Sequence, residues 1–190
     1  MQLKKVIPWL LVAGAIAVIA PKYLSNNLDK TPSIVKVSDS QSAVKFSQSQ
    51  RCEVTRISDG DTIACTNGQK IRFCGIDAPE KAQPLGEESK QYLTNLLQGK
   101  EVIISPVETD RYGRLVGEVF IKVSAHSEEE IFVNAEMVRS GMAYHYAQYS
   151  NSCAGRSQII DAENEARTRA IGVWSGNYQK PWDYRKTTKK

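Results

Sequence analysis

The sequence predicts a mainly β domain of the α+β kind, a five-stranded barrel with three packed helices, preceded by an apolar segment and a polar linker. Three observations predict it. From Arg51 onward, short apolar runs are separated by Asp-Gly and Asn-Gly pairs, the turn chemistry of hairpins. Stripes of helical period are few, and each closes on a glycine. The runs follow the order strand, strand, strand, helix, strand, strand, helix, helix.

The first two strands, Cys52–Ser58 and Thr62–Thr66, flank Asp59-Gly60, and a residue before glycine suits a type I′ turn. Asn67-Gly68 marks the next turn and Lys70–Ile76 the third strand. Its alternation sets Ile71 and Phe73 on one face and Arg72 and Cys74 on the other. Pro84–Gln98 reads as a helix, with Leu85, Tyr92, Leu93, Leu96 and Leu97 as its apolar stripe and Gly99 as its stop. Glu101–Pro106 and Leu115–Val123 are strands, with the polar turn Thr109–Arg114 between them. Asn134 suits the N-cap of a short helix ending at Gly141, and Ile159–Ile171 is a longer helix closed by Gly172. This order matches the oligonucleotide/oligosaccharide-binding barrel, or OB-fold, class.

Composition divides the chain further. Lys4-Lys5 precedes an apolar run, Val6–Ala20, so residues 1–24 read as a signal peptide or a signal-anchor membrane segment. Residues 25–50 are too polar to offset the entropy of ordering and read as a flexible linker. Residues 51–176 form the folded domain and 177–190 a basic tail that docks by Trp182 or contacts phosphate. The net charge of +4 does not belong to the domain. Residues 1–50 carry six lysines and two aspartates, whereas residues 51–190 carry nineteen bases and nineteen acids. A generally cationic surface for polyanions is therefore excluded, and any phosphate must be held by a few placed charges.

Four cysteines contain no CxxC pair, which disfavours structural zinc. An even number behind an export signal favours disulfides and a place outside the cytoplasm, tethered to a membrane or secreted. Three connectivities are open. Cys52 and Cys65 flank the hairpin turn and could face each other, which would leave Cys74 with Cys153. The two histidines, His126 and His145, are too few for a histidine-based metal or phosphodiesterase centre.

Acids and arginines concentrate in three short segments. These are Asp59-Gly60-Asp61-Thr62, then Arg72 with Gly75-Ile76-Asp77-Ala78-Pro79-Glu80, then Asp110-Arg111-Tyr112-Gly113-Arg114. Carboxylates suit a hard divalent cation, and arginines donate paired hydrogen bonds to phosphate oxygens. Any one motif is weak, since Asp59 alone would be read as a turn residue and Arg72 alone as a salt-bridged strand residue. In this set and order, from about Cys52 to Trp174, the chain resembles the staphylococcal nuclease (thermonuclease) family. That resemblance implies a calcium-dependent endonuclease acting on DNA or RNA. It implies calcium on Asp61, Asp77 and the main-chain carbonyl of Ala78, where family members often carry Thr. It implies phosphate held by Arg72 and Arg114, with Glu80 ordering or activating water. Arg111, Tyr112, Tyr146 and Tyr149 would contact unpaired bases, although core packing or loop anchoring is the competing role for the last two. The loop Lys81–Gly86 is shorter than the family's lysine-rich loop. A monomer is expected. The alternative is a non-catalytic OB-fold module that binds single strands.

Overall fold

The computed structural model describes residues 48–124 and 126–188. The apolar run Val6–Ala20 and nearly all of the linker lie outside the described residues, as do Lys189 and Lys190. Among the described residues no helix is long and apolar enough to cross a membrane.

Among the described residues nine strands and four α-helices follow one another. They are β1 (Gln50–Cys52), β2 (Val54–Asp59), β3 (Thr62–Cys65), β4 (Lys70–Phe73), β5 (Ile76–Asp77), α1 (Gly86–Leu97), β6 (Val102–Thr109), β7 (Leu115–Lys122), β8 (Glu130–Phe132), α2 (Val133–Arg139), β9 (Tyr144–His145), α3 (Arg156–Thr168) and α4 (Pro181–Thr188). The main sheet runs β1-β6-β7-β4-β3-β2, with β8 added to β7. Its two end strands are consecutive in the chain, joined through Glu53 alone. The sheet therefore curls back on itself. With β1 and β2 counted as one bent strand, it is the five-stranded barrel expected. The β4–β7 pair is parallel, and the other pairs of this sheet are antiparallel.

Alternation fills the barrel. Ile63, Ile71, Phe73, Val102, Ile104, Val119 and Ile121 are all buried inside, where the helices add Leu93, Leu97, Met137, Val138 and Ile159. Both expected disulfides are present. Cys52–Cys65 closes the first hairpin, and Cys74–Cys153 ties the end of β4 to the loop before α3.

Several expectations need correction. The third strand stops at Phe73, and Ile76–Asp77 instead pairs with β9 in a separate two-stranded sheet. Between them the chain turns at Gly75, whose φ is +74°. Gly60 does not take the positive φ that a type I′ turn requires. It is glycine for space: a Cβ there would stand 1.8 Å from the Ser89 hydroxyl of α1. Asn134 is not the N-cap of α2, a position held by Phe132. It lies inside the helix, fully buried. Its Oδ1 accepts from the Val119 N–H at 3.0 Å, and its Nδ2 donates to the Cys74 carbonyl at 2.9 Å. The α3 helix starts at Arg156 and ends at Thr168, three residues earlier at each end than expected, because its first turn is polar. The basic tail contains a fourth helix, α4. Proline at its first position, Asp183 in the first turn and Arg185 and Lys186 in the last are helix signals.

Candidate active site

Arg72 is central. Strand β4 buries Ile71 and Phe73 on the barrel side and turns Arg72 outward, where its side chain is still only 14% exposed. The guanidinium bridges two of the expected carboxylates, with NH1 3.0 Å from Asp61 Oδ1 and NH2 2.8 Å from Asp77 Oδ1. NH1 also donates to the Phe73 carbonyl at 3.2 Å. One rigid strand therefore gathers residues from all of the first two motifs.

Asp61 is held by its neighbours. It sits in the turn between β2 and β3, where its N–H donates to Asp59 Oδ1 at 3.1 Å. Its Oδ2 accepts the Ala78 N–H at 2.7 Å, and its Oδ1 accepts the Thr62 hydroxyl at 3.0 Å. The bond to Ala78 fastens the Asp61 turn to the segment that follows β5. Asp77 is positioned by β5–β9 pairing, opposite Tyr144, and is fully buried. Glu80 lies in a tight turn where its N–H donates to Gln83 Oε1 and its carbonyl accepts the Gln83 N–H.

Burial is the larger influence on Asp77 and pushes its carboxyl up, to about 6. The Arg185 hydrogen bonds pull it down, and the neighbouring Asp61 charge adds to the rise. Asp59 is pushed up to about 7 by burial and then by the charge of Asp61. The Asp61 charge thus stands close enough to Asp59 and Asp77 to raise both carboxyls, beyond the effect of burial, an arrangement that favours a cation.

Arg185 was not foreseen. It reaches in from α4 and donates to Asp77 Oδ2 at 2.7 Å, to Asp77 Oδ1 at 3.1 Å and to Glu80 Oε1 at 2.7 Å. Asp61, Asp77 and Glu80 are joined through the two arginines Arg72 and Arg185 into one network.

Arg114 stands at the entry to β7. Two residues further on, Val116 pairs with Arg72 across the parallel β4–β7 ladder, so the turn that carries Arg114 leads into the strand beside β4. Arg114 is oriented by Asp110, which accepts from its Nε at 2.8 Å and its NH2 at 2.7 Å. Arg111 and Arg114 both lie over the Tyr112 ring, at 5.0 and 5.5 Å, and Tyr112 is exposed. Tyr146 donates its N–H to the Gly75 carbonyl, which brings it beside the Asp77 segment. Its ring packs against Tyr149 at 4.8 Å and stacks on Trp182 of α4 at 5.0 Å. Tyr144 belongs to the core, and its hydroxyl donates to the Val173 carbonyl. His145 is half-buried, its ring against the Ser150 hydroxyl at 2.9 Å and its N–H donating to the Glu163 carboxylate of α3 at 3.1 Å, with no contact to Asp61, Asp77 or Glu80.

Residues 70–176 match the family described as staphylococcal nuclease homologue. The chain is 39% identical over 145 residues to the micrococcal nuclease of Shigella flexneri, spanning 73% of this chain and 82% of that protein. It is 37% identical over 142 residues to Protein ParB of Escherichia coli, spanning 72% and 79%. It is 38% identical over 130 residues to an uncharacterized endonuclease of Haemophilus influenzae, spanning 66% and 67%. With more than half of its length matched by the family and relatives aligned over most of their own, this chain belongs to the staphylococcal nuclease family.

Proposed function

We propose that this protein is a calcium-dependent endonuclease that hydrolyses phosphodiester bonds of DNA or RNA at the Asp61–Arg72–Asp77–Glu80 cluster. The nuclease relatives support the activity class. The observation that carries the site is the Arg72 bridge, which joins two separately placed carboxylates on one guanidinium. The donor set fits a hard divalent ion. Asp61 and Asp77 offer carboxylate oxygens, and the Ala78 carbonyl belongs to the residue whose N–H Asp61 already holds. Among the described residues no three Asp, Glu, His or Cys side chains converge as a cage. Two carboxylates and a carbonyl leave coordination positions for phosphate oxygens and water.

Bound calcium would supply positive charge to the phosphate oxygens and lower the energy of water attack. The chain's own residues do the rest. Arg72 spends two of its five donors on Asp77 and the Phe73 carbonyl and pairs with Asp61 by charge, leaving donors free for a phosphate oxygen. Arg114, aimed by Asp110, offers a second guanidinium from the turn before β7. Donors fixed before the reaction stabilise the charge that develops at phosphorus, commonly the largest catalytic contribution. Glu80 orients or activates the attacking water. Arg111 with the exposed Tyr112, and the exposed Tyr149, stack unpaired bases, which favours single-stranded substrate, while Tyr146, already stacked on Trp182, anchors α4 instead. The protein acts as a monomer.

The same reading places the enzyme outside the cytoplasm, secreted or tethered by residues 1–24, and two disulfides support an oxidising location. The test is kinetic. Arg72→Ala and Arg114→Ala each lower the cleavage rate by at least about 100-fold while circular dichroism shows an intact fold. Near-normal rates in both would contradict the roles given to the two arginines, and no cleavage by the parent protein would leave the chain as a single-strand-binding barrel.

A further inference from the structure

We infer that Arg185 of α4, braced on Glu80, is an internal counter-cation that competes with the divalent ion for Asp77 and so sets the metal concentration at which the enzyme turns on. The inference rests on the calcium site proposed above and concerns the regulation of that site.

The contacts carry it. Arg185 engages both oxygens of Asp77 and one of Glu80. Asp77 Oδ1 then accepts from two guanidiniums at once, from Arg72 at 2.8 Å and from Arg185 at 3.1 Å, and Oδ2 accepts from Arg185 at 2.7 Å. A carboxylate oxygen has about two lone pairs to offer, so the metal and Arg185 want the same ones. Charge points the same way. Asp61, Asp77 and Glu80 with Arg72 alone carry a net −2, which a divalent cation neutralises. With Arg185 in place the cluster is already reduced to −1, and a metal entering beside it meets a guanidinium.

Arg185 is also held ready. The α4 helix is anchored by contacts other than Arg185, through the Gln179 carbonyl just before it, which accepts from Gln83 Nε2 at 2.8 Å, and through Trp182 stacked on Tyr146. Lys180 adds contacts over the rings of Tyr144 at 4.6 Å and Trp174 at 4.7 Å. Little ordering remains to be done when Arg185 binds, which strengthens it as a competitor. The Arg185 side chain is 34% exposed, so it has a route to solvent when a metal displaces it. Displacement needs only the side chain to move, with the anchors intact.

The experiment measures calcium binding by calorimetry on the full chain without nucleic acid, so that activity plays no part. Arg185→Gln removes the competing charge and tightens calcium on the order of 10-fold, within the range usual for coupled sites. Lys186→Gln makes the same change of charge one residue further on, in an exposed pair with Asp183, and alters calcium affinity by less than about 2-fold. If Arg185→Gln binds calcium no more tightly than the parent, or if both variants tighten equally, the competition does not exist. Absence of calcium binding in every protein refutes the metal site itself, a different failure from unaltered binding. If Arg185→Gln does not fold, Arg185→Lys carries the test. Its single ammonium cannot span Asp77 and Glu80 as the fork does, and it tightens calcium by a smaller factor.

Discussion

Replacing Asn134 by alanine unfastens the joint between the barrel and the active-site segment, and its size can be worked out. The side chain is fully buried where β4 ends and the chain turns toward Asp77. Its loss orphans the Val119 N–H and the Cys74 carbonyl, bonded now at 3.0 and 2.9 Å. The Gly117 carbonyl, a longer third contact at 3.4 Å, keeps the Cys74 N–H at 2.8 Å and is not orphaned. Each orphaned buried group costs about 1–3 kcal/mol, so the variant loses about 4 kcal/mol. That is a large part of the roughly 5–15 kcal/mol typical of a domain. Urea denaturation reads it as a lower midpoint at unchanged slope. Asn134→Asp turns an acceptor toward the Cys74 carbonyl and buries a charge, so it is less stable than the alanine variant. A loss below about 1 kcal/mol for alanine, or an aspartate variant as stable as the parent, would refute the clip.

The remaining predictions concern the disulfides and the Asp110 turn. Cys74–Cys153 closes a loop of 79 residues and Cys52–Cys65 one of 13, so the chain-entropy argument gives about 4.5 and about 3 kcal/mol. Paired serine variants compared in urea rank in that order, and equal losses would contradict it. Burial raises the Asp110 carboxyl, but N–H groups of Arg114 and Tyr112 and the Arg114 guanidinium outweigh this and hold it below its ordinary value. A depressed acid stabilises the fold above its unfolded value near pH 4 and loses that contribution as pH falls through the folded value. Asp110→Ala is therefore less stable than the parent at pH 7, by about 1 kcal/mol for a partly exposed pair, and the two converge near pH 2. A constant gap in thermal melts across that range would show that the charge is not the cause.

Much of this site was legible because its residues are spaced by local geometry. The alternation of β4 is enough to turn Arg72 away from Ile71 and Phe73, and five residues further on the chain returns with Asp77. The barrel was legible for the same reason, since hairpin turns announce their strands. What escaped depends on distant partners. Gly60 announced a turn, but its need for glycine comes from Ser89 on α1. Asn134 resembles a cap, and only its fit between β4 and β7 shows it to be a clip. The α4 helix has one buried residue, Pro181, and no apolar stripe, so periodicity was silent. Its Arg185 meets Asp77 across 108 residues, a contact that no local pattern announces.

The most direct measurement of the central claim is cleavage of denatured DNA and of RNA by the purified full chain, in millimolar calcium and in chelator, with the ends of the products identified. Cleavage in calcium, its loss in chelator and its return on adding calcium are the predicted results. Full cleavage in chelator would contradict a metal held by Asp61 and Asp77, and no cleavage in either condition would contradict the nuclease itself.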